Sequence, residues 1–231
     1  MVEADIMEQP NERIIVLDFG GQYNQLIARR IRDLGVYSEL LSYRTTAEEI
    51  KQHQPKGIIF SGEPTSVFSE DAPQPDPAIY QLGIPILGIC YGMQLIADHF
   101  EAKVDRALKH EYGKTEVERV SESNLFHGLE QKQTVWMSHR DVVTEPPLGF
   151  QVDARTHSVP VAAMSNEKQG VYAVQFHPVV RDTVYGNEIL RNFIYEICGC
   201  SGNWSMKTFV DNTVEELRQR IGKRKVLCAL S

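Results

Sequence analysis

The sequence has no apolar run approaching the roughly 20 residues needed to span a bilayer, so no membrane span is expected. It begins with an acidic, polar stretch, Met1 to Pro10, and lacks the basic-then-apolar layout of a signal peptide. Cysteine is scarce. Four residues (Cys90, Cys198, Cys200, Cys228) are too few for a disulfide scaffold of this size. A reduced, cytoplasmic protein is the expectation. Positive charge is in deficit, with 24 basic against 31 acidic residues and a net charge of −7. That balance argues against a broad nucleic-acid or anionic-membrane surface but leaves room for a local phosphate site. There is no internal repeat and no low-complexity segment. What is present is 231 residues, 42% hydrophobic and 24% charged, enough to bury a sizeable core. At roughly 150 residues per domain, the length reads as one full domain plus a remnant.

The element pattern is that of an α/β protein. The unbroken apolar run from Arg13 to Asp18 reads as a strand buried on both faces, as in a parallel sheet. Gly20-Gly21 turns the chain, and Tyr23, Ile27, Ile31 and Leu34 recur at helical spacing until Gly35. Val36–Leu41 and Gly57–Phe60 read as strands. Between them, Thr46 and Glu49 form a capping box that opens a short helix. Residues 61–77 form a long, proline-containing loop. Ile86–Ile89 is the next strand and Tyr91–Phe100 the next helix. This rhythm predicts a doubly wound, mostly parallel central sheet with flanking helices. Shorter strands at Thr115–Val120, Thr134–Met137, Val161–Met164 and Val171–Phe176 read as antiparallel additions. A helix is expected over Thr183–Cys198. A second capping box, Thr213 with Glu216, predicts another helix to Ile221, followed by a buried strand over Val226–Leu230.

The sharpest chemical signal is Gly88-Ile89-Cys90-Tyr91-Gly92, placed between a strand and a helix. This is a nucleophile-elbow layout with cysteine at the apex. The flanking glycines permit a tight turn, and the helix aims its N-terminal dipole at the sulfur, which favours thiolate. Most cytosolic cysteines are simply small buried residues; here the elbow reverses those odds. Cys198 and Cys200, with one residue between them, lack the spacing of a zinc or redox pair, and no metal site is expected. A cysteine nucleophile needs a base. Of seven histidines, His177 ends a strand and precedes Pro178, which biases it to extended backbone at the carboxyl end of the sheet.

Four segments resemble the signatures of class I glutamine amidotransferases: Gly88–Gln94, Ser61–Pro64 (Ser-Gly-Glu-Pro), Met137–Asp141 (Met-Ser-His-Arg-Asp) and Gln175–Val180 (Gln-Phe-His-Pro-Val-Val). Asp18–Ile27, Glu111–Gly113 and Val184–Asn187 are similar to members that feed an ATP pyrophosphatase domain. The resemblance runs from about Arg13 to the last residue. It implies an N-terminal tail (1–12), an amidotransferase domain (13–202) and the start of an ATP pyrophosphatase domain (203–231), cut where its phosphate loop would begin. It also implies hydrolysis of the glutamine side-chain amide. Cys90 would attack, His177 would move the proton, and the backbone N–H groups of Tyr91 and Glu63 would hold the oxyanion. Gly62, Gln94, Ser138, His139 and Asp141 would grip the glutamine. The ammonia would pass to a synthetase that converts XMP to GMP. That half, in cis or in trans, would use ATP and Mg and would carry the homo-oligomer contacts. No cofactor is implied for this chain itself.

Two departures fall on functional positions. The family's His-Pro-Glu is His177-Pro178-Val179 here, so the acid position holds a side chain that cannot accept a hydrogen bond. Asp182 and Glu188 are nearby carboxylates, but both lie at the exit into a helix. Glu63 stands where the family has glycine and brings a carboxylate near a developing oxyanion. A smaller departure is Arg140, at a position that is often glycine. Impaired catalysis is therefore expected. One alternative is a degenerate amidotransferase-like protein that binds glutamine or a synthetase partner without efficient turnover. Another is a hydrolase of a different substrate on the same elbow, against which the Asp18–Ile27 opening argues.

Overall fold

A computed structural model of the protein describes residues 12–62, 66–106 and 111–227. In chain order these residues form β1 (Arg13–Asp18), α1 (Asn24–Asp33), β2 (Tyr37–Ser42), α2 (Ala47–Gln52), β3 (Gly57–Phe60), β4 (Ile86–Ile89) and α3 (Tyr91–His99). There follow β5 (Lys103–Arg106), β6 (Tyr112–Arg119), β7 (Lys132–Ser138), β8 (Asp141–Glu145), β9 (Gln151–Arg155), β10 (Ala163–Asn166) and β11 (Val171–Val174). The chain then runs through α4 (Gly186–Arg191), a widened helical turn over Asn192–Ile197, and α5 (Met206–Ile221).

Nine strands form one sheet in the order β2-β1-β3-β4-β11-β10-β9-β6-β7. The β2-β1-β3-β4-β11 portion is parallel. The strands from β10 outward are added antiparallel. A separate two-stranded antiparallel ribbon joins β5 to β8. The expected doubly wound sheet with antiparallel additions is therefore the observed architecture.

The central strands are apolar on both faces because both faces are covered. Ile14 and Val16 point to the layer that holds Ile27 and Ile31 of α1 and Ile189, Leu190 and Phe193 of the C-terminal helical segment. Ile15 and Leu17 point the other way, to Ala47 and Ile50 of α2 and Met93 and Ile96 of α3. All four strand residues are fully buried, each worth about 1.5–3 kcal/mol relative to exposure. The Thr46 capping box of α2 is present with both reciprocal bonds.

The chain departs from expectation at its later elements. The helix expected over Thr183–Cys198 starts only at Gly186. Thr183 is otherwise engaged, because its hydroxyl accepts from the Trp136 N–H at 2.9 Å and donates to the His177 carbonyl at 2.8 Å. Asn192 donates to the Leu125 and His127 carbonyls, both at 3.0 Å, where the helix widens. Helix α5 is capped by Ser205, whose hydroxyl accepts from the Thr208 N–H at 3.1 Å. Thr213 lies inside that helix and donates back to the Phe209 carbonyl at 2.7 Å, so it is no cap. Of the expected terminal strand, Val226 and Leu227 are exposed and not in a strand, and the rest lies outside the described residues.

Candidate active site

The carboxyl ends of β1, β3, β4 and β11 lie along one edge of the sheet, where open α/β folds gather their ligands. The elbow sits there. Gly88 lies near the end of β4 and Gly92 in the first turn of α3, and each is needed for close approach. A Cβ on Gly88 would stand 2.6 Å from the Gly92 carbonyl, and one on Gly92 would overlap the Phe60 carbonyl. The strain falls on the cysteine itself, which adopts φ 56 and ψ −104. That backbone costs a non-glycine residue of order 1–3 kcal/mol. It is held by the Cys90 N–H donating to Val174 at 2.8 Å and by the Met93 and Gln94 N–H groups donating to the Cys90 carbonyl.

His177 stands opposite. A Cβ added to Gly62 would meet His177 Cε1 at 3.3 Å and Cys90 Cβ at 3.8 Å, so nucleophile and base candidates flank one glycine. Gly62 is placed by the opening turn. The Ser61 N–H donates to Leu17 at 3.2 Å, the Phe19 N–H donates to Ser61 Oγ at 3.2 Å, and Gly21 has no Cβ to clash with the Gly62 carbonyl. Cys90 and His177 also share one acceptor. The thiol donates to the Ser138 carbonyl at 3.5 Å, and the His177 ring bonds the same backbone group. Tyr23 packs its ring 4.9 Å from that of His177. The segment beyond His177 is locked by Gly186, whose missing Cβ admits the Pro178 carbonyl.

Both groups rest neutral. Burial pushes the Cys90 thiol up to about 12; N–H donors from Tyr91 and Gln175 lower it only in part, and the nearby Asp141 charge raises it. Burial pulls the His177 imidazole down to about 4, opposed by its bond to Ser138 and assisted by nearby His139. The amide at the start of α3 does reach the sulfur, as its place at a helix N-terminus implies, but desolvation outweighs it.

The remaining candidates cluster within the same corner. Gln94 donates to the Asp141 carbonyl at 2.9 Å. Asp141 is buried, and its carboxylate accepts from Ser66. His139 is buried with Nε2 3.7 Å from a carboxylate oxygen of Glu111. Glu63 lies outside the described residues. Val179, at the position where the resemblance expects an acid, is 2% exposed and packs in the apolar core. Asp182 is turned to Lys114 at 3.1 Å, and Glu188 is exposed. Neither substitutes for it. Among the described residues no group of three or more His, Cys, Asp or Glu side chains is placed to hold a metal.

Three contacts had no individual signal in the sequence. Gln175 reaches the Cys90 sulfur at 3.7 Å, Tyr23 walls His177, and Glu111 faces His139. All three join segments distant in the chain. Only the alternation along the strand leading to His177, which puts Gln175 and His177 on one side, hinted at the first.

The profile of the class-I glutamine amidotransferase family matches residues 15–197. A GMP synthase [glutamine-hydrolyzing] of Geobacillus kaustophilus is 58% identical over 220 residues, which cover 95% of this chain and 43% of that protein. A protein of the same name from Oceanobacillus iheyensis is 55% identical over 221 residues, covering 96% and 43% respectively. The chain thus spans less than half the length of these curated relatives. The crystal structure of a protein from Thermoplasma acidophilum, described as a subunit of GMP synthase, matches with a TM-score of 0.71 and 31% identity over 90% of this chain and 97% of that one. A glutamine amidotransferase of Thermotoga maritima shares the fold at 17% identity, with a TM-score of 0.66 over 83% of this chain and 100% of that one. The chain belongs to the class-I glutamine amidotransferase family.

Proposed function

We propose that this chain hydrolyses the side-chain amide of glutamine and supplies the ammonia to an ATP-dependent synthetase portion that converts XMP to GMP, as the names of its relatives suggest. The observation that carries this is the meeting of Cys90 and His177 about Gly62 at the carboxyl edge of the sheet. In the reaction the Cys90 proton passes to His177 as sulfur attacks the amide carbon. The N–H groups of Tyr91 and Glu63 hold the oxyanion, worth roughly 3–4 kcal/mol per donor in comparable sites. Imidazolium returns the proton to the leaving nitrogen, and ammonia departs from a thioester. Water then attacks the thioester with His177 as base, releasing glutamate and restoring the thiol. Gly62, Gln94, Ser138, His139 and Asp141 position the glutamine.

No cofactor serves this half; ATP and Mg belong to the synthetase portion, which also supplies the homo-oligomer contacts. We assign residues 13–202 to the amidotransferase unit and 203–231 to the beginning of the synthetase unit. In support, α5 leaves Met206, Val210, Val214 and Leu217 exposed at helical spacing, as on a face awaiting a partner. The buried Val179 and the neutral Cys90–His177 pair favour a second reading, in which glutamine is bound but turned over slowly. One assay separates the two: ammonia release from glutamine with the synthetase portion present, beside Cys90→Ala. Turnover lost in Cys90→Ala supports the hydrolase. Binding of glutamine without turnover supports the second reading, and absence of both refutes the assignment.

A further inference from the structure

Gln175 carries no assigned role, yet it lies against the reacting atom. Its Nε2 is 3.7 Å from Cys90 Sγ, and the residue has no solvent exposure. Its Oε1 is buried without a hydrogen-bond partner among the described residues. A buried primary amide left half-satisfied is a poor choice for packing alone, because each unmet polar atom carries its full desolvation penalty. The backbone fixes it in place. The Gln175 N–H donates to the Ala162 carbonyl at 2.9 Å, and the preceding carbonyl, that of Val174, accepts from the Cys90 N–H at 2.8 Å. Strand β11 therefore delivers the amide to the sulfur in register with the elbow.

The sulfur is thereby bracketed. On one side the Ser138 carbonyl, 3.5 Å away, accepts the thiol hydrogen. On the other the Gln175 amide can only strengthen its bond as the sulfur becomes negative. We propose that Gln175 is a catalytic residue of this site, an N–H donor that stabilises the Cys90 thiolate, both when the thiol is deprotonated and when the thioester expels it. The proposal rests on the glutaminase reading above and extends it. It also identifies a stabilising contact that does not pass through the acid position occupied by Val179. An N–H donor favours charged sulfur over a neutral thiol. The groups that face Cys90 are Gln175 just beyond β11, Asp141 at the start of β8, the Ser138 carbonyl and the Tyr91 N–H from α3, with His177 across Gly62; His139 acts on His177. All but Gln175 are unchanged by the test.

The test is the rate of Cys90 alkylation by iodoacetamide, followed by peptide mass spectrometry between pH 7 and 9.5, in the full chain and in Gln175→Met and Gln175→Glu. The expected result is a rate about tenfold lower in Gln175→Met and lower still in Gln175→Glu, where a carboxylate faces the sulfur. Both differences should vanish after unfolding in guanidinium. A folded Gln175→Met protein with the parental rate profile overturns the proposal. Should that variant not fold, the isosteric Gln175→Glu is read by the same criterion. In the unsubstituted chain, Gln175 side-chain amide resonances that fail to move on Cys90→Ala overturn it as well. Alkylation reads the thiolate and not turnover, so absence of ammonia release would sink the glutaminase reading while this result still stands on its own.

Discussion

Replacing Val179 by glutamate probes the most consequential departure in the site. Burial has drawn His177 from an ordinary value near 6.5 down to about 4, which corresponds to about 3 kcal/mol against the imidazolium that the proposed reaction requires. Val179 is 2% exposed, so a carboxylate there would act through a water-poor medium in which charges are weakly screened. An opposite charge within about 4–6 Å raises such a value by roughly 1–3 units, recovering about 1.4–4 kcal/mol. Val179→Glu is therefore expected to increase kcat for ammonia release about ten- to a thousandfold with little change in KM. The acid limb of the pH–rate profile should move upward with His177. The same change buries a carboxylate in an apolar cluster, so the melting temperature is expected to fall. The assay is glutaminase turnover from pH 4 to 9 with the synthetase portion present. A folded Val179→Glu protein with unchanged kcat and an unmoved acid limb would refute the reasoning that His177 lacks a charge partner.

Stability should report the same histidine. Its folded value lies below its unfolded one, so the unfolded chain binds the extra proton as pH falls. Stability is then lost between about pH 6.5 and 4, by up to about 3 kcal/mol from this group, with no further loss below. Urea titrations should show that slope and its flattening in His177→Gln; equal slopes would contradict the burial argument. At the alkaline end Cys90, held near 12 instead of 9.0, makes stability decline above about pH 9, a decline that Cys90→Ala should reduce. Gly186→Ala drives a methyl into the Pro178 carbonyl. It is expected to cost about 1–3 kcal/mol as an overpacked contact and to slow turnover by displacing His177, and a variant with parental melting temperature and kcat would show the contact to be slack.

The parts of this fold that were legible beforehand are those whose causes are local. β1 declares itself by an apolar run covered on both faces, and α2 by a capping box that closes within four residues. The elbow declares itself because two glycines at fixed spacing answer one steric need. The strands β5, β8 and β9 were not foreseen. They are four or five residues long and mixed in polarity; β5 and β8 hold each other across a long stretch of chain, and β9 bridges its neighbour β10 and the distant β6. Thr213 and Glu216 look like a helix start, and Ser205 is one; only tertiary placement of the chain after Gly202 decides between them. In the site, Cys90 and His177 could be named from their motifs. The Gln175 contact spans 85 positions, and strand alternation marks only the side on which Gln175 lies, not its partner; Tyr23 reaches across the sheet edge and leaves no periodic trace.

The glycines at this edge bear on how such a site can change over time. Gly21 against Gly62, Gly92 against Phe60 and Gly186 against Pro178 are contacts with backbone, in which no side-chain chemistry takes part. They key distant segments together whatever stands at the neighbouring positions. The scaffold therefore holds its shape with an apolar side chain at Val179. Shape at this edge is thus set by backbone contacts, apart from the side chains on which reactivity would depend.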